Sequence, residues 1–336
     1  MKSWLLVMVA VCLVLPGVSS ARTWYVNPDG TGDTTGLQVA IGWASWGDTV
    51  LVAAGTYGTV NLKAGVTVIS EEGADRTFLD AGGNISAVTA STHDSAEITG
   101  FTIMNARWIG IHVSGSYELG PLVIKRNRIL DCGWEGEGGI NVGGTSALIE
   151  SNYVDCPNAV YAVEVSTGSP PGVTIAVNGN AIKGSREGVR ASGHISIEGN
   201  LIINCTYGVT GGDIAVQSNT IVNCGTGIEG AFGPLSHNII TQCGKAIDWS
   251  IGAVPAIACN DLWDNTQDYA YEPAPTDIHV DPLFCDPESG DYRLQACSPC
   301  VDVPDCGLIG AFGVGCPCGG VSTERASWGA IKSTYR

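Results

Sequence analysis

The chain has 336 residues, a formal charge of −17, only 15% charged residues and 46 glycines. An acid excess of this size argues against nucleic acid and anionic membrane surfaces as partners, because both demand clustered Lys and Arg. Abundant Gly, Asn, Ile and Val with little Leu favour short strands joined by tight turns over long helices, since β-branched side chains suit a pleated surface while Gly and Asn tolerate φ > 0.

In chain order, the first expected element is a secretory leader over residues 1–21. Lys2 precedes an apolar run over residues 4–15, a Pro16-Gly17 break and the small residues Ser19-Ser20-Ala21, with cleavage expected after Ala21. The run is too short to span a bilayer, and no later one is long enough, so no membrane insertion is expected. Val11 stands where a lipobox before Cys12 requires a small residue, which argues against acylation. A secreted or cell-surface location follows, in a compartment that permits disulfides. Next, Thr35-Gly-Leu-Gln-Val-Ala-Ile41 predicts a short helix, placed to cap the structure before the opening strands within Gly47 to Tyr57.

From there the chain repeats. Asn127, Asn152, Asn180, Asn200, Asn219, Asn238 and Asn260 recur at intervals of 19 to 28 residues, and their surroundings recur with them. The segments Ile195 to Cys205, Ile214 to Cys224 and Leu235 to Cys243 each place apolar residues on both sides of the Asn and a Cys five residues after it, and Gly-Val, Gly-Ile or Ala-Ile follows the Cys by three. Each unit therefore holds three short strands and three corners, one turn of a coil. No unit buries its apolar face alone, so the coils stack, roughly ten rungs at ~4.8 Å each, into a rod about 50 Å long. Asn at the corner is expected to take the left-handed conformation and to bond the equivalent Asn one rung away, forming a ladder. A leucine-rich repeat is the competing pattern, but Leu is scarce and the segment after each Cys is Gly-centred and strand-like.

The cysteines divide into two groups. Cys132, Cys156, Cys205, Cys224 and Cys243 share one position in the rung and read as an inward column of free thiols, with bridges between rungs as the alternative. Cys285, Cys297, Cys300, Cys306, Cys316 and Cys318, with Cys259, are dense and fall outside the repeat, so they read as disulfides stapling a cap. A zinc set drawn from Cys297-x-x-Cys300 and Cys316-x-Cys318 is the alternative. The expected organisation is a leader at 1–21, a right-handed parallel β-helix with its N-terminal cap at 22–280, a Cys-rich C-terminal cap at 281–320, and a flexible tail at 321–336.

Two segments resemble a known group. The order of strand, short helix and Gly47-Asp-Thr-Val-Leu-Val-Ala-Ala-Gly-Thr-Tyr57 is similar to the start of bacterial pectin-lyase-like β-helix proteins. Asp281-Pro-Leu-Phe, Tyr292-Arg-Leu294, Ser298-Pro-Cys300 and Ile309-Gly-Ala311 resemble their ending. The resemblance implies fold and export rather than a reaction, because that group spans hydrolases, lyases, epimerases and binding proteins. The Asn-Thr-Asp, Asp-Asp, Gly-His-Gly and Arg-Ile-Lys motifs of its hydrolases are absent, as is the epimerase signature.

Register then places His112, Asn141, Tyr161 or Glu164, and Arg190 in one outward column, continued by Thr210, Glu229 and Asp248. A neighbouring column holds Trp108, Trp134, Asn158, Glu187, Tyr207 and Thr226. Longer loops at 133–139 and 166–172 interrupt the same rungs. A carbohydrate-binding face is expected on Trp108, His112, Trp134, Asn141, Tyr161, Glu164 and Arg190, with aromatic rings stacking on sugar C–H faces and a polysaccharide as partner. The bland alternative is a solvated rod face. A polysaccharide lyase is the runner-up, with His112 or Tyr161 as base and Arg190 or the Lys125-Arg126-x-Arg128 cluster as neutraliser. That cluster reads more simply as a surface ion pair with Glu150 of the next rung. No metal or cofactor is expected. Calcium is a further alternative, offered by the acidic turns at 27–33 and 277–291, whose spacing fits no defensible ligand set.

Overall fold

The computed structural model describes residues 20–90, 95–115, 121–168, 172–249, 255–269 and 274–319. The expected leader and tail fall almost wholly outside these ranges, as does part of the 166–172 loop. The described chain winds through three long sheets of eleven, ten and ten strands, called A, C and B here, and sequence neighbours in each sheet are one coil apart. Every strand pair in the three is parallel. One apolar core, from Val26 to Tyr269, runs down the inside. The helix Leu37–Trp43 buries Leu37, Ala40 and Ile41 against the first coil.

The corner from sheet A to sheet B is the asparagine ladder. In each rung the backbone N–H and Nδ2 of one Asn donate to Oδ1 of the next, as from Asn180 to Asn200 at 2.9 and 3.0 Å. Nδ2 also donates to a carbonyl of the preceding rung, as from Asn200 to Val177 at 2.7 Å. The ladder opens with the N–H of Phe101 donating to Asn127 and closes on Asp277, whose carboxylate accepts from the N–H and Nδ2 of Asn260. A terminal rung has only to accept, and a carboxylate does that without an onward donor. The left-handed residue is not the Asn, as the sequence suggested, but the one before it: Arg126, Ser151, Gly179, Gly199, Ser218, His237 and Cys259 all have positive φ. The turn is made at that position so that the next side chain enters the core.

Cys132, Cys156, Cys205, Cys224 and Cys243 are buried free thiols inside the coil. The second group pairs as Cys259–Cys306, Cys285–Cys316 and Cys297–Cys318. This corrects the expectation for Cys300, which stays a buried thiol and donates to Asp261 Oδ2 at 3.2 Å. With Cys297, Cys316 and Cys318 committed to bridges, the zinc alternative has no ligand set. Beyond the last coil a three-stranded sheet, Phe284–Asp286, Asp291–Gln295 and Val314–Cys316, turns back along the outer face of sheet B. There Tyr292 and Phe312 cover Ala181, Leu201, Ile203 and Val222, and Leu294, Val303 and Ile309 cover Ile239.

Candidate functional site

Sheet C keeps its outer face free of that layer. Its strands carry two consecutive inward residues, Gly-Val or Gly-Ile in most rungs, so the side chains before and after this pair both project outward. The inward Gly is a packing requirement: a Cβ at Gly208 would lie 2.5 Å from the carbonyl oxygen of Gly227 and 2.8 Å from Ile221 Cγ2. Strands Ile109–Ser114, Gly138–Gly143, Tyr161–Ser166 and Glu187–Ser192 thereby hold His112, Asn141, Glu164 and Arg190 in direct register on successive rungs.

Tyr161 belongs to the parallel column, in register with Gly138 and Glu187, and then Tyr207, Thr226 and Lys245. The two tryptophans do not share that column. Trp108 immediately precedes Ile109, and Trp134 sits in the 133–137 loop of the next rung. Glu135 in that loop joins them to the scaffold, accepting from Trp108 Nε1 at 3.3 Å and facing Arg107 Nε at 3.4 Å. Trp108 and Trp134 are 43% and 44% exposed, with exposed Ile85 one rung earlier.

From Asn141 to Thr210 the polar side chains form a connected network. Asn141 Nδ2 donates to Glu164 Oε2 at 2.6 Å, and Arg190 Nη1 donates to the Tyr161 hydroxyl at 2.9 Å. The Arg190 guanidinium lies 4.0 Å from Glu164, 3.9 Å from Glu187 and 5.1 Å from the centre of the Tyr161 ring. Thr210 Oγ1 donates to Glu187 Oε2 at 2.6 Å, and Lys245 pairs with Asp248 at 2.7 Å. Burial pushes the Glu164 carboxyl above its usual range; Arg190 opposes the shift and Glu137 adds to it. Glu229 is raised by burial and by the charges of Asp248 and Glu187. His112 Nδ1 is shielded from solvent and has no hydrogen-bond partner.

The structure thus brings His112, Asn141, Tyr161, Glu164 and Arg190 together on four strands and sets Trp108 and Trp134 at the corner beside the first two. His112 and Arg190 are three rungs apart, about 15 Å, so they do not act on one carbon. Glu187, Glu229 and the Lys245–Asp248 pair complete the face. Their signal in the sequence was the residue three before, and the residue at, the outward position of each Gly-Val or Gly-Ile strand. The basic cluster also differs from expectation: Lys125 is in register with Glu150 but pairs with Glu97 of the preceding rung at 2.9 Å. In the turn at 27–33, Asp29 accepts from Thr31, and Asp33 accepts from Arg22 and from the N–H of Tyr25.

These features define a right-handed parallel β-helix with a polar outer face on one sheet. The family described as the right handed beta helix region matches residues 86–261, and the chain belongs to it. The structure is similar to the crystal structure of pectate lyase Pel9A, with a TM-score of 0.63 at 14% identity over 89% of this chain and 98% of that one. It is also similar to a polygalacturonase from Erwinia carotovora ssp. carotovora, with a TM-score of 0.53 at 12% identity over 78% and 95% of the two chains. At these identities the likeness is one of fold. No curated protein matches the sequence.

Proposed function

We propose that the outer face of sheet C is a non-catalytic polysaccharide-binding surface of a secreted or cell-surface protein. The observation that carries this reading is the unbroken row His112, Asn141, Glu164, Arg190, held on four adjacent strands and flanked by two exposed tryptophans. A rigid row of donors and acceptors suits an extended chain of hydroxyls, and each exposed indole offers a stacking surface for a sugar C–H face. The carbohydrate-acting names of the two similar structures support the substrate class, and three disulfides are consistent with an oxidising compartment. Glycan-array binding tests the reading. Wild type binds a polysaccharide, and the Trp108→Ala, Trp134→Ala double variant loses at least tenfold in affinity, about 1.4 kcal/mol. Equal binding by the two proteins contradicts it.

One observation favours a second reading, polysaccharide lyase. The Tyr161 hydroxyl lies 2.9 Å from Arg190 Nη1, so a phenol that removes a proton and a cation that neutralises a uronate are adjacent. Against it, Glu164 and Glu187 already claim the Arg190 charge. Incubation with pectate, alginate or chondroitin separates the two: steady growth of unsaturated-product absorbance, lost in Tyr161→Phe, establishes the lyase and overturns the non-catalytic reading.

A further inference from the structure

The two outward columns of sheet C are unequal in charge. They carry the carboxylates of Glu164, Glu187, Glu229 and Asp248, and the loop residue Glu137 adds its negative field at Glu164. Against these stand Arg190 and Lys245, and both are engaged: Arg190 faces Glu164 and Glu187, and Lys245 pairs with Asp248. His112 is five rungs from Glu229, about 24 Å. A glycan with a carboxylate on every sugar therefore meets an excess of like charge along this face, and one with positive charges meets its complement.

The excess concentrates at Glu229. It is in register with Thr210 on one side and Asp248 on the other, which puts two carboxylates on adjacent strands about 4.8 Å apart. Glu187 has the Thr210 hydroxyl and Arg190 as partners, and Asp248 has Lys245. Glu229 is half-buried and makes no hydrogen bond or ion pair among the described residues. A cation brought to this carboxylate offsets both its desolvation and the repulsion from Asp248. The outward residue beside it on the same strand is Thr226, a short side chain that leaves Glu229 open on that side. A bare metal ion does not suit the position, because the described residues contain no group of three or more side chains able to hold one. An ammonium group does, since one or two carboxylates satisfy it.

Resting on the reading of sheet C as a polysaccharide-binding face, we propose that its ligand is a polysaccharide with free amino groups, a hexosamine polymer lacking its N-acetyl caps, and that Glu229 with Asp248 holds one sugar ammonium. Isothermal titration of the full chain tests it, at mildly acidic pH so that the sugar amines are protonated, with oligomers of equal length of glucosamine, N-acetylglucosamine and galacturonate. The glucosamine oligomer binds tightest, the N-acetylated one at least tenfold more weakly, and the galacturonate one more weakly still. Glu229→Gln keeps the shape of the side chain, removes its charge and weakens the glucosamine oligomer about tenfold. Glu198→Gln removes the same charge from the exposed side of sheet A and leaves binding unchanged, which separates the site from general attraction of a polycation to an acidic chain. No binding of the glucosamine oligomer, equal or tighter binding of either other oligomer, an unaffected Glu229→Gln variant, or an equal loss in Glu198→Gln each overturns the proposal. If another oligomer binds best and the Trp108→Ala, Trp134→Ala variant loses it, the polysaccharide face stands and the amino-sugar assignment alone falls.

Discussion

At Asn200 one side chain serves three rungs. Its Oδ1 accepts from the N–H and Nδ2 of Asn180, and its Nδ2 donates to Val177, Glu198 and Asn219. Asn200→Ala leaves buried donors and acceptors unmatched on both sides and is expected to cost about 2–4 kcal/mol in urea unfolding. The ladder was legible because a recurring Asn between apolar residues has few other uses. The left-handed position beside it was not, because residues as different as Arg126, Gly179 and Cys259 occupy it: bonds made by the next residue compensate for strain of about 1–2 kcal/mol. Asp261 carries a second residue-scale consequence. It is fully buried, accepts from Cys300 and the N–H of Val280, and burial raises its carboxyl to about 6. A folded value above the unfolded one means that the folded state holds the proton more tightly. The stability this supplies is present below about pH 4 and lost as pH rises toward 6. Thermal unfolding of wild type should show that decline, and Asp261→Asn should flatten it.

Among elements, the strands of sheet C show why the site was partly readable. The Gly-Val and Gly-Ile pairs fix which residue of each rung points outward, and the row from His112 to Arg190 follows from them. Tyr161 and the tryptophans were misplaced because a strand with two consecutive inward residues departs from simple alternation, so counting by two assigns the wrong neighbour. Gly208→Val tests the geometry: with 2.5 Å to the Gly227 oxygen, the larger side chain forces neighbouring strands apart and should cost about 1–3 kcal/mol in denaturant unfolding. The cysteine column gives an independent check. Because Cys132, Cys156, Cys205, Cys224 and Cys243 are inside the coil, iodoacetamide should leave all five unmodified in the native protein and label them only as the chain unfolds.

In the whole molecule, the C-terminal layer decides which sheet is covered. The strands of sheet B suit this cover, since Leu201-Ile202-Ile203 and Ile239-Ile240 are apolar on both faces, the pattern of a strand buried twice and a signal the sequence analysis did not use. What the sequence could not supply was the covering segment, because contacts such as that of Ala311 with Thr220 join residues 91 apart. Cys259–Cys306 ties this layer to the last coils. Its removal as Cys259→Ser, Cys306→Ser should cost about 2–5 kcal/mol and expose residues 281–319 to proteolysis before the coil itself. With sheet B covered, sheet C presents the polar row. Hydrogen exchange with and without a polysaccharide identified by array binding tests the central claim most directly. The account predicts added protection at Trp108 to His112, Trp134 to Asn141, Tyr161 to Glu164 and Glu187 to Arg190. Protection confined to sheet A, or to the C-terminal layer, contradicts it.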